Sequence, residues 1–264
     1  MLKENQIQGF ADELYGALRQ QEMLDPLTDR EPEMTIEDAY AVSSALLQKR
    51  IDLDGEKVIG KKIGVTSKAV QNMLKVGQPD FGYLTDAMVV NEGEPLSLTE
   101  KMIQPRAEGE IAFVLKKDLM GPGITATDVL RATDFVVPCF EIVDSRIRDW
   151  NIKIQDTVAD NASCGYFLLG QNAADPRKLD LSTCGMVLEL NGHLCSTGAG
   201  AAALDSSPVS CVVWLANTLG RLGTPLKAGE VILSGSLVPL QPVKPGDYMS
   251  VFIGGLGRTS VRFT

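Results

Sequence analysis

Glu108-Gly-Glu-Ile-Ala-Phe-Val-Leu115 and Phe135-Val-Val-Pro-Cys-Phe-Glu-Ile-Val143 are the two stretches whose reading decides the fold. Both have the β-branched and aromatic content of strands, and both put carboxylates where a core should be. Strand side chains alternate between faces, so Glu108, Glu110 and Ala112 share one face, while Glu141 lies on the face of Val137, Cys139 and Val143. A buried carboxylate without a partner is costly or takes up a proton, so three of them converging would call for a cation. Ligands that are all oxygen select a hard divalent ion, Mg²⁺ or Mn²⁺. The plainer readings are a solvated edge strand for Glu108 and Glu110, and a lysine or arginine partner for Glu141. Gly109 faces away from both of its neighbouring carboxylates, where the lack of a side chain would let a neighbouring backbone pack closely.

Further β-like runs lie on either side, broken by glycine and proline: Val58–Val65, Tyr166–Leu169, Met186–Leu190, Val231–Ser234, Tyr248–Ile253 and Ser260–Phe263. So many strands with few helices between them imply a mixed, largely antiparallel β core rather than a doubly wound sheet. The first quarter of the chain differs. Ile7, Phe10, Leu14 and Leu18 recur at helical spacing, and Thr35 with Asp38 has the form of a helix cap leading into Val42 and Leu46. The fold class expected is therefore mixed α/β (α+β), with a small, mostly helical N-terminal part over residues 1–57 and a β-rich domain over 58–264. Ser206-Ser-Pro208 marks one later helix, with an apolar stripe through Val209, Val212, Val213, Ala216 and Leu219 and with Gly223 beyond its end.

Composition excludes several classes of function. A net charge of −9 repels a phosphate backbone, and no basic stripe offsets it, so no nucleic-acid partner is expected. No apolar run approaches the roughly 20 residues of a membrane span, and Met1-Leu-Lys-Glu-Asn5 lacks the apolar segment of a secretory signal, so the chain is expected in the cytoplasm. The five cysteines are scattered without a C-x-x-C pair, which supports neither a disulfide framework nor a zinc ribbon. His193, the only histidine, follows the turn signal Asn191-Gly192, so Ser/His and Cys/His catalysis and a multi-histidine zinc site are not expected.

Other candidate residues carry weaker signals. In Val58-Ile-Gly-Lys-Lys-Ile-Gly-Val65, Lys62 is flanked on its own face by Gly60 and Gly64, leaving room for a ligand to reach its ammonium. Asp80 sits in Gln78-Pro-Asp-Phe-Gly82, a proline- and glycine-bounded loop in which aspartate usually caps a turn. Asp156–Gly165 and Ser234-Gly-Ser236 could offer hydroxyls and backbone N–H groups to a carboxylate. Gly198-Ala-Gly-Ala-Ala-Ala203 fits a dinucleotide-binding fingerprint in letter only. A hairpin precedes it, Asp205–Pro208 interrupts any helix, and no acidic residue lies about twenty positions on.

Taken together, Val58-Ile-Gly-Lys-Lys-Ile-Gly-Val-Thr-Ser67, Gln78-Pro-Asp-Phe-Gly-Tyr-Leu84, Gln104-Pro-Arg-Ala-Glu-Gly-Glu-Ile-Ala-Phe113, Val143-Asp-Ser-Arg146 and Asp156-Thr-Val-Ala-Asp-Asn-Ala-Ser163 closely resemble the 2-oxopent-4-enoate (2-hydroxypentadienoate) hydratases of aromatic meta-cleavage pathways, within the fumarylacetoacetate hydrolase superfamily. The resemblance runs over essentially the whole chain. It implies a rolled β core and a homo-oligomer acting on a small 2-oxo or 2-hydroxy dienoate. It also implies Mg²⁺ or Mn²⁺ held at Glu108, Glu110 and Glu141, with a catalytic lysine at Lys62. Asp80, Gln104, Ser163 and Ser236 match positions that contact or surround substrate, Asp80 being suited to act as base toward the attacking water. Asp205 departs from the glycine expected there. The alternatives within reach of the same resemblance are 4-oxalocrotonate decarboxylase, or a non-catalytic metal-stabilised subunit partnering such a decarboxylase.

Overall fold

Apolar residues at helical spacing build the N-terminal layer of the computed structural model, which describes residues 1–264, the side chains of Ala69 and Met73 excepted. Helix α1 (Glu4–Gln20) buries Phe10, Leu14 and Ala17 along one face. After the short α2 (Leu27–Arg30), α3 (Ile36–Asp54) begins at Thr35. The Thr35 hydroxyl accepts the Asp38 N–H at 3.1 Å and the Asp38 carboxylate accepts the Thr35 N–H at 3.1 Å, a reciprocal capping box. The core shared by α1 and α3 is completed by Ile147, Ile154 and Val158 from the middle of the chain, so this layer is fastened onto the β structure.

From Val58 onward strands alternate with short connections. In chain order these are β1 (Val58–Gly64), α4 (Lys68–Leu74), β2 (Asp80–Thr85), α5 (Leu98–Lys101), β3 (Arg106–Leu115), α6 (Ala126–Ala132), β4 (Thr133–Val143), α7 (Ile154–Ala159), β5 (Tyr166–Leu169), β6 (Gly185–Leu190), β7 (His193–Ala199), α8 (Pro208–Arg221), β8 (Val231–Leu233), β9 (Gln241–Pro242), β10 (Tyr248–Ile253) and β11 (Gly257–Arg262). Seven strands form one sheet in the order β2-β1-β8-β3-β4-β5, with β9 beside the start of β3. Every pairing in it is antiparallel except β1 with β8. The sheet curls until its edges approach, and Val90 donates its N–H to the Phe167 carbonyl at 2.9 Å, closing a roll.

Inside the roll the floor is apolar, with Leu84, Met88, Val137, Phe167 and Leu233 buried together. The outer face packs on the second sheet, ordered β11-β10-β6-β7, and on α8. Helix α8 starts as its sequence signal implies, with the Ser207 hydroxyl accepting the Val209 N–H at 3.3 Å and Pro208 in the first turn. Among the described residues, no helix is long and apolar enough to cross a membrane.

Two local readings change. Asp80 is not in a loop but opens β2, paired with Gly64 of β1; the flanking proline and glycine mimic turn chemistry, and only pairing across the sheet makes the segment extended. Gly109 does face away from the carboxylates, but side chains of the second sheet approach it rather than a backbone. A β-carbon there would stand 2.9 Å from Val251 Cγ2 and 3.1 Å from Met186 Sδ. Asp205, in place of the expected glycine, adopts a left-handed φ of 47°. We expect Gly109→Val to overpack the junction of the two sheets and to destabilise the protein by about 1–3 kcal/mol, read as a lower urea midpoint with an unchanged slope.

Candidate active site and metal centre

Register places the acids together. Glu108 pairs directly with Glu141 across β3 and β4, and directly opposed residues of an antiparallel pair point to the same side. Glu110, one alternation deeper, shares that side. Glu108, Glu110 and Glu141 each present a carboxylate oxygen within 4.8 Å of the others, inside the roll. Glu110 and Glu141 are fully buried, and Glu108 is partly open toward the mouth. The mouth lies where β1, β4 and β8 end and β2, β3 and β5 begin.

The cluster is under-satisfied by protein. The Gly235 N–H donates to Glu110 Oε2 at 2.8 Å, but Glu110 Oε1 and both oxygens of Glu141 are buried without a hydrogen-bond partner. Lys62 Nζ stands 3.3 Å from Glu141 Oε1, near enough for an ion pair but out of hydrogen-bond alignment. Burial and the facing Glu141 carboxylate push Glu108 from its ordinary 4.5 up to about 8. Burial raises Glu110 well above its ordinary value, with Glu141 and then Glu108 adding to it. Glu141 is raised by burial and restrained by Lys62. Orphaned buried oxygens on three converging carboxylates are the donor set of a hard divalent cation, and these residues fit one.

Lys62 faces two opposed influences. Burial alone would lower its pKa, but Glu141, with lesser help from Cys164, Asp80 and Glu108, raises it. The side chain is therefore an ammonium. Gly64 provides room as its position implies, because a β-carbon there would overlap Asp80 Oδ1 and stand 3.4 Å from Lys62 Nζ. Asp80 is buried with Oδ1 unpaired, and burial raises its pKa against the pull of Lys62. Lys62, Asp80 and the three glutamates thus share one chamber.

The other expected residues have partners of their own. Ser163 is buried, its hydroxyl 3.1 Å from the Thr157 hydroxyl. Ser236 bonds the Val238 carbonyl at 2.5 Å and approaches Gly109 O at 3.5 Å. Gln104 is not brought into the cluster. Its Nε2 donates to the carbonyls of Ser145 and Ile147 at 3.0 and 2.8 Å, and its Oε1 accepts the Asp149 N–H at 2.7 Å, so the whole amide is engaged in holding that loop. Residues that sequence reasoning missed do comparable work. Arg146 forms a buried ion pair with Asp160 and donates to the carbonyls of Asp144, Cys164 and Asp160 at 2.6, 3.0 and 2.7 Å. Asn161 clips both backbone groups of Tyr83 at 2.8 and 2.9 Å, which fixes the left-handed run Asn161-Ala162-Ser163 (φ 52–55°) against β2. Tyr40 reaches in from α3, stacked on Phe81 at 4.4 Å and accepting its N–H at 3.3 Å. The polar run around Asp160 was the available signal for the first two; nothing in the sequence marked Tyr40.

Residues 58–264 match the family model for the fumarylacetoacetate hydrolase C-terminal domain. The chain belongs to the fumarylacetoacetate hydrolase family. Within the fumarylacetoacetate hydrolase family, the chain is 67% identical over 217 residues to 2-hydroxypent-2,4-dienoate hydratase of Pseudomonas putida, covering 82% of this chain and 97% of that one. It is 59% identical over 252 residues to 2-hydroxyhexa-2,4-dienoate hydratase of Comamonas testosteroni, covering 95% of each. The solved structure of 4-oxalocrotonate decarboxylase from Pseudomonas putida G7, complexed with magnesium and adipate, superposes with a TM-score of 0.95 at 37% identity, covering 100% of this chain and 99% of that one.

The electrostatics of this fumarylacetoacetate hydrolase site can be checked without substrate. A carboxyl whose folded pKa is raised binds its proton more tightly folded than unfolded, so its stabilisation is present below the unfolded value and lost as pH climbs through the folded one. With divalent ions chelated, the urea midpoint should fall between about pH 4.5 and pH 8, the span over which Glu108 is shifted. Mg²⁺ should flatten that slope and, at 100 times its dissociation constant, add about 2.7 kcal/mol. Glu110→Gln should raise the midpoint of the chelated protein, by removing a carboxyl whose burial and like-charged neighbours oppose its ionisation, and abolish the response to Mg²⁺.

Proposed function

We propose that this chain is a metal-dependent hydratase that adds water to 2-hydroxypenta-2,4-dienoate to give 4-hydroxy-2-oxopentanoate. The observation that carries the reading is the convergence of Glu108, Glu110 and Glu141 beside Lys62 inside the roll. Supporting it, the relatives at 67% and 59% identity are named as dienoate hydratases, whereas the decarboxylase of similar fold stands at 37%.

Glu108, Glu110 and Glu141 would hold a divalent cation, Mg²⁺ or Mn²⁺, of the kind found in the decarboxylase structure. When bound, that cation supplies Lewis-acid stabilisation of negative charge at the C2 oxygen. The remaining work falls to the chain's own side chains. The substrate loses its C2 hydroxyl proton and gains one at C5, becoming a 2-oxo-3-enoate with an electrophilic C4. Lys62, held as an ammonium by Glu141, gives the proton to C5 and is restored by the one leaving the C2 hydroxyl. Asp80, unpaired at Oδ1 and beside Lys62, takes the proton of the water that attacks C4 and returns it to C3, which completes the product. Ser163 and Ser236 line the chamber, Gln104 holds the loop above it, and the apolar floor excludes bulk water from the reacting carbons. We further propose that the protein acts in aromatic catabolism as a cytoplasmic homo-oligomer. Exposed Phe252 and Leu194 on the second sheet support self-association.

One assay separates the readings. Ultraviolet loss of 2-hydroxypentadienoate should occur with Mg²⁺ and without CO₂ release, and 2-oxohex-3-enedioate should yield no CO₂; CO₂ without dienol loss would identify a decarboxylase instead. In the same assay Lys62→Met should lower kcat by about 10²- to 10⁴-fold, and Glu141→Gln should stay inactive when Mg²⁺ is restored after chelation. Full activity in either variant would remove the corresponding role.

A further inference from the structure

Arg106 is a cation without a partner at the mouth of this chamber. The alternation that aims Glu108 and Glu110 into the roll places Arg106 on the same face, one step nearer the opening, or about 7 Å along the strand. Its guanidinium lies 4.5 Å from the centroid of the Trp150 ring and is half-buried. No carboxylate or hydrogen-bond acceptor among the described residues engages it. Other enclosed cations close by are paired: Lys62 with Glu141, Arg146 with Asp160, Arg50 with Glu56.

The indole that holds Arg106 is itself fixed. Trp150 Nε1 donates to the Gln104 carbonyl at 3.0 Å, and the Gln104 amide accepts the Asp149 N–H at 2.7 Å. Asp149 and Trp150 both take left-handed φ values, 57° and 56°, which cost about 1–2 kcal/mol each for residues with a β-carbon. Backbone strain of this kind persists where the surroundings over-determine it, commonly at ligand sites. The stacked face accounts for the attraction to Trp150. It leaves five coplanar N–H donors, arranged to grip a carboxylate through two hydrogen bonds, with nothing to bind.

We propose that Arg106 is a specificity-determining residue that receives the C1 carboxylate of the substrate in a bidentate pair, so that the chain's C4 and C5 enter toward Lys62 and Asp80. The inference rests on the hydratase reading for the identity of the acid, though the clamp itself requires only an α-oxo or α-hydroxy carboxylate. It gives Gln104 a positioning role, since that side chain fixes the turn on which Trp150 stands. It also explains how a chain of net charge −9 admits an anionic substrate: one unneutralised cation waits at the opening.

The test uses the Mg²⁺-loaded protein in a Trp214→Phe background, where Trp150 is the only indole of the two in the sequence. Titration with 2-oxopentanoate, which cannot be hydrated, should change Trp150 emission, and 2-pentanone, which lacks the carboxylate, should not. Arg106→Gln should weaken 2-oxopentanoate binding by about 10- to 100-fold, with Arg106→Lys recovering only part of it. In turnover, KM should rise while kcat changes by less than about threefold, the signature of binding shared by ground and transition states. The affinity for Mg²⁺ and the unfolding midpoint should stay unchanged. Equal 2-oxopentanoate affinity in Arg106→Gln and its parent overturns the clamp while leaving the hydratase reading intact. A parent that binds 2-oxopentanoate through Arg106 but does not hydrate the dienoate overturns that reading and keeps the clamp.

Discussion

Three carboxylates, two fully buried and one partly open, repel one another inside the roll, and the surrounding structure is organised around that repulsion. Glu108 and Glu141 are held opposite one another by the β3–β4 register, and Glu110 is one alternation deeper. At interior dielectric such charges are tolerable only if protonated or matched by positive charge. The protein supplies one backbone N–H to Glu110 and one misaligned ammonium to Glu141, and leaves three oxygens unpaired. That deficit is what makes the site a receptor for a divalent ion.

The surrounding architecture reads as the means of keeping that unfavourable arrangement in place. β3 and β4 are interior strands, held between β8 and β5, and the second sheet clamps the outer face at Gly109, directly between Glu108 and Glu110. The mouth is rigid for a different reason. Two left-handed turns, Asp149-Trp150 and Asn161-Ala162-Ser163, are held by side-chain amides and by the buried Arg146–Asp160 pair. Breaking that pair by truncating Arg146 would leave Asp160 as an uncompensated buried charge, a loss of roughly 3–5 kcal/mol. Stability in this region serves the placement of Ser163, Cys164 and Trp150.

Charge is distributed on two scales. The molecule as a whole is acidic, which suits solubility and repels polyanions, whereas the chamber gathers Lys62 within and Arg106 at its rim. A small anionic acid is therefore discouraged at long range and met at short range. The floor beneath is apolar, built from Leu84, Met88, Val137, Phe167 and Leu233.

Local signals along the chain were enough to place the elements and to nominate the candidates. Helix spacing and the Thr35 and Ser207 caps located α1, α3 and α8, because these signals are local, and period-two alternation assigned Glu108 and Glu110 to one face and put Gly64 beside Lys62, whereas the space at Gly60 is taken by the Val231 backbone. Alternation says which residues share a face of one strand but not what lies opposite, so only the β3–β4 pairing and closure of the roll brought Glu141 to them. Tertiary structure also moved Asp80 from an apparent loop to the start of a strand, drew Gln104 into loop support, and brought Tyr40 in from α3. It decided the charge of Lys62 as well. Burial and neighbouring carboxylates push a lysine in opposite directions, and the outcome depends on distances that exist only once strands far apart in sequence are assembled.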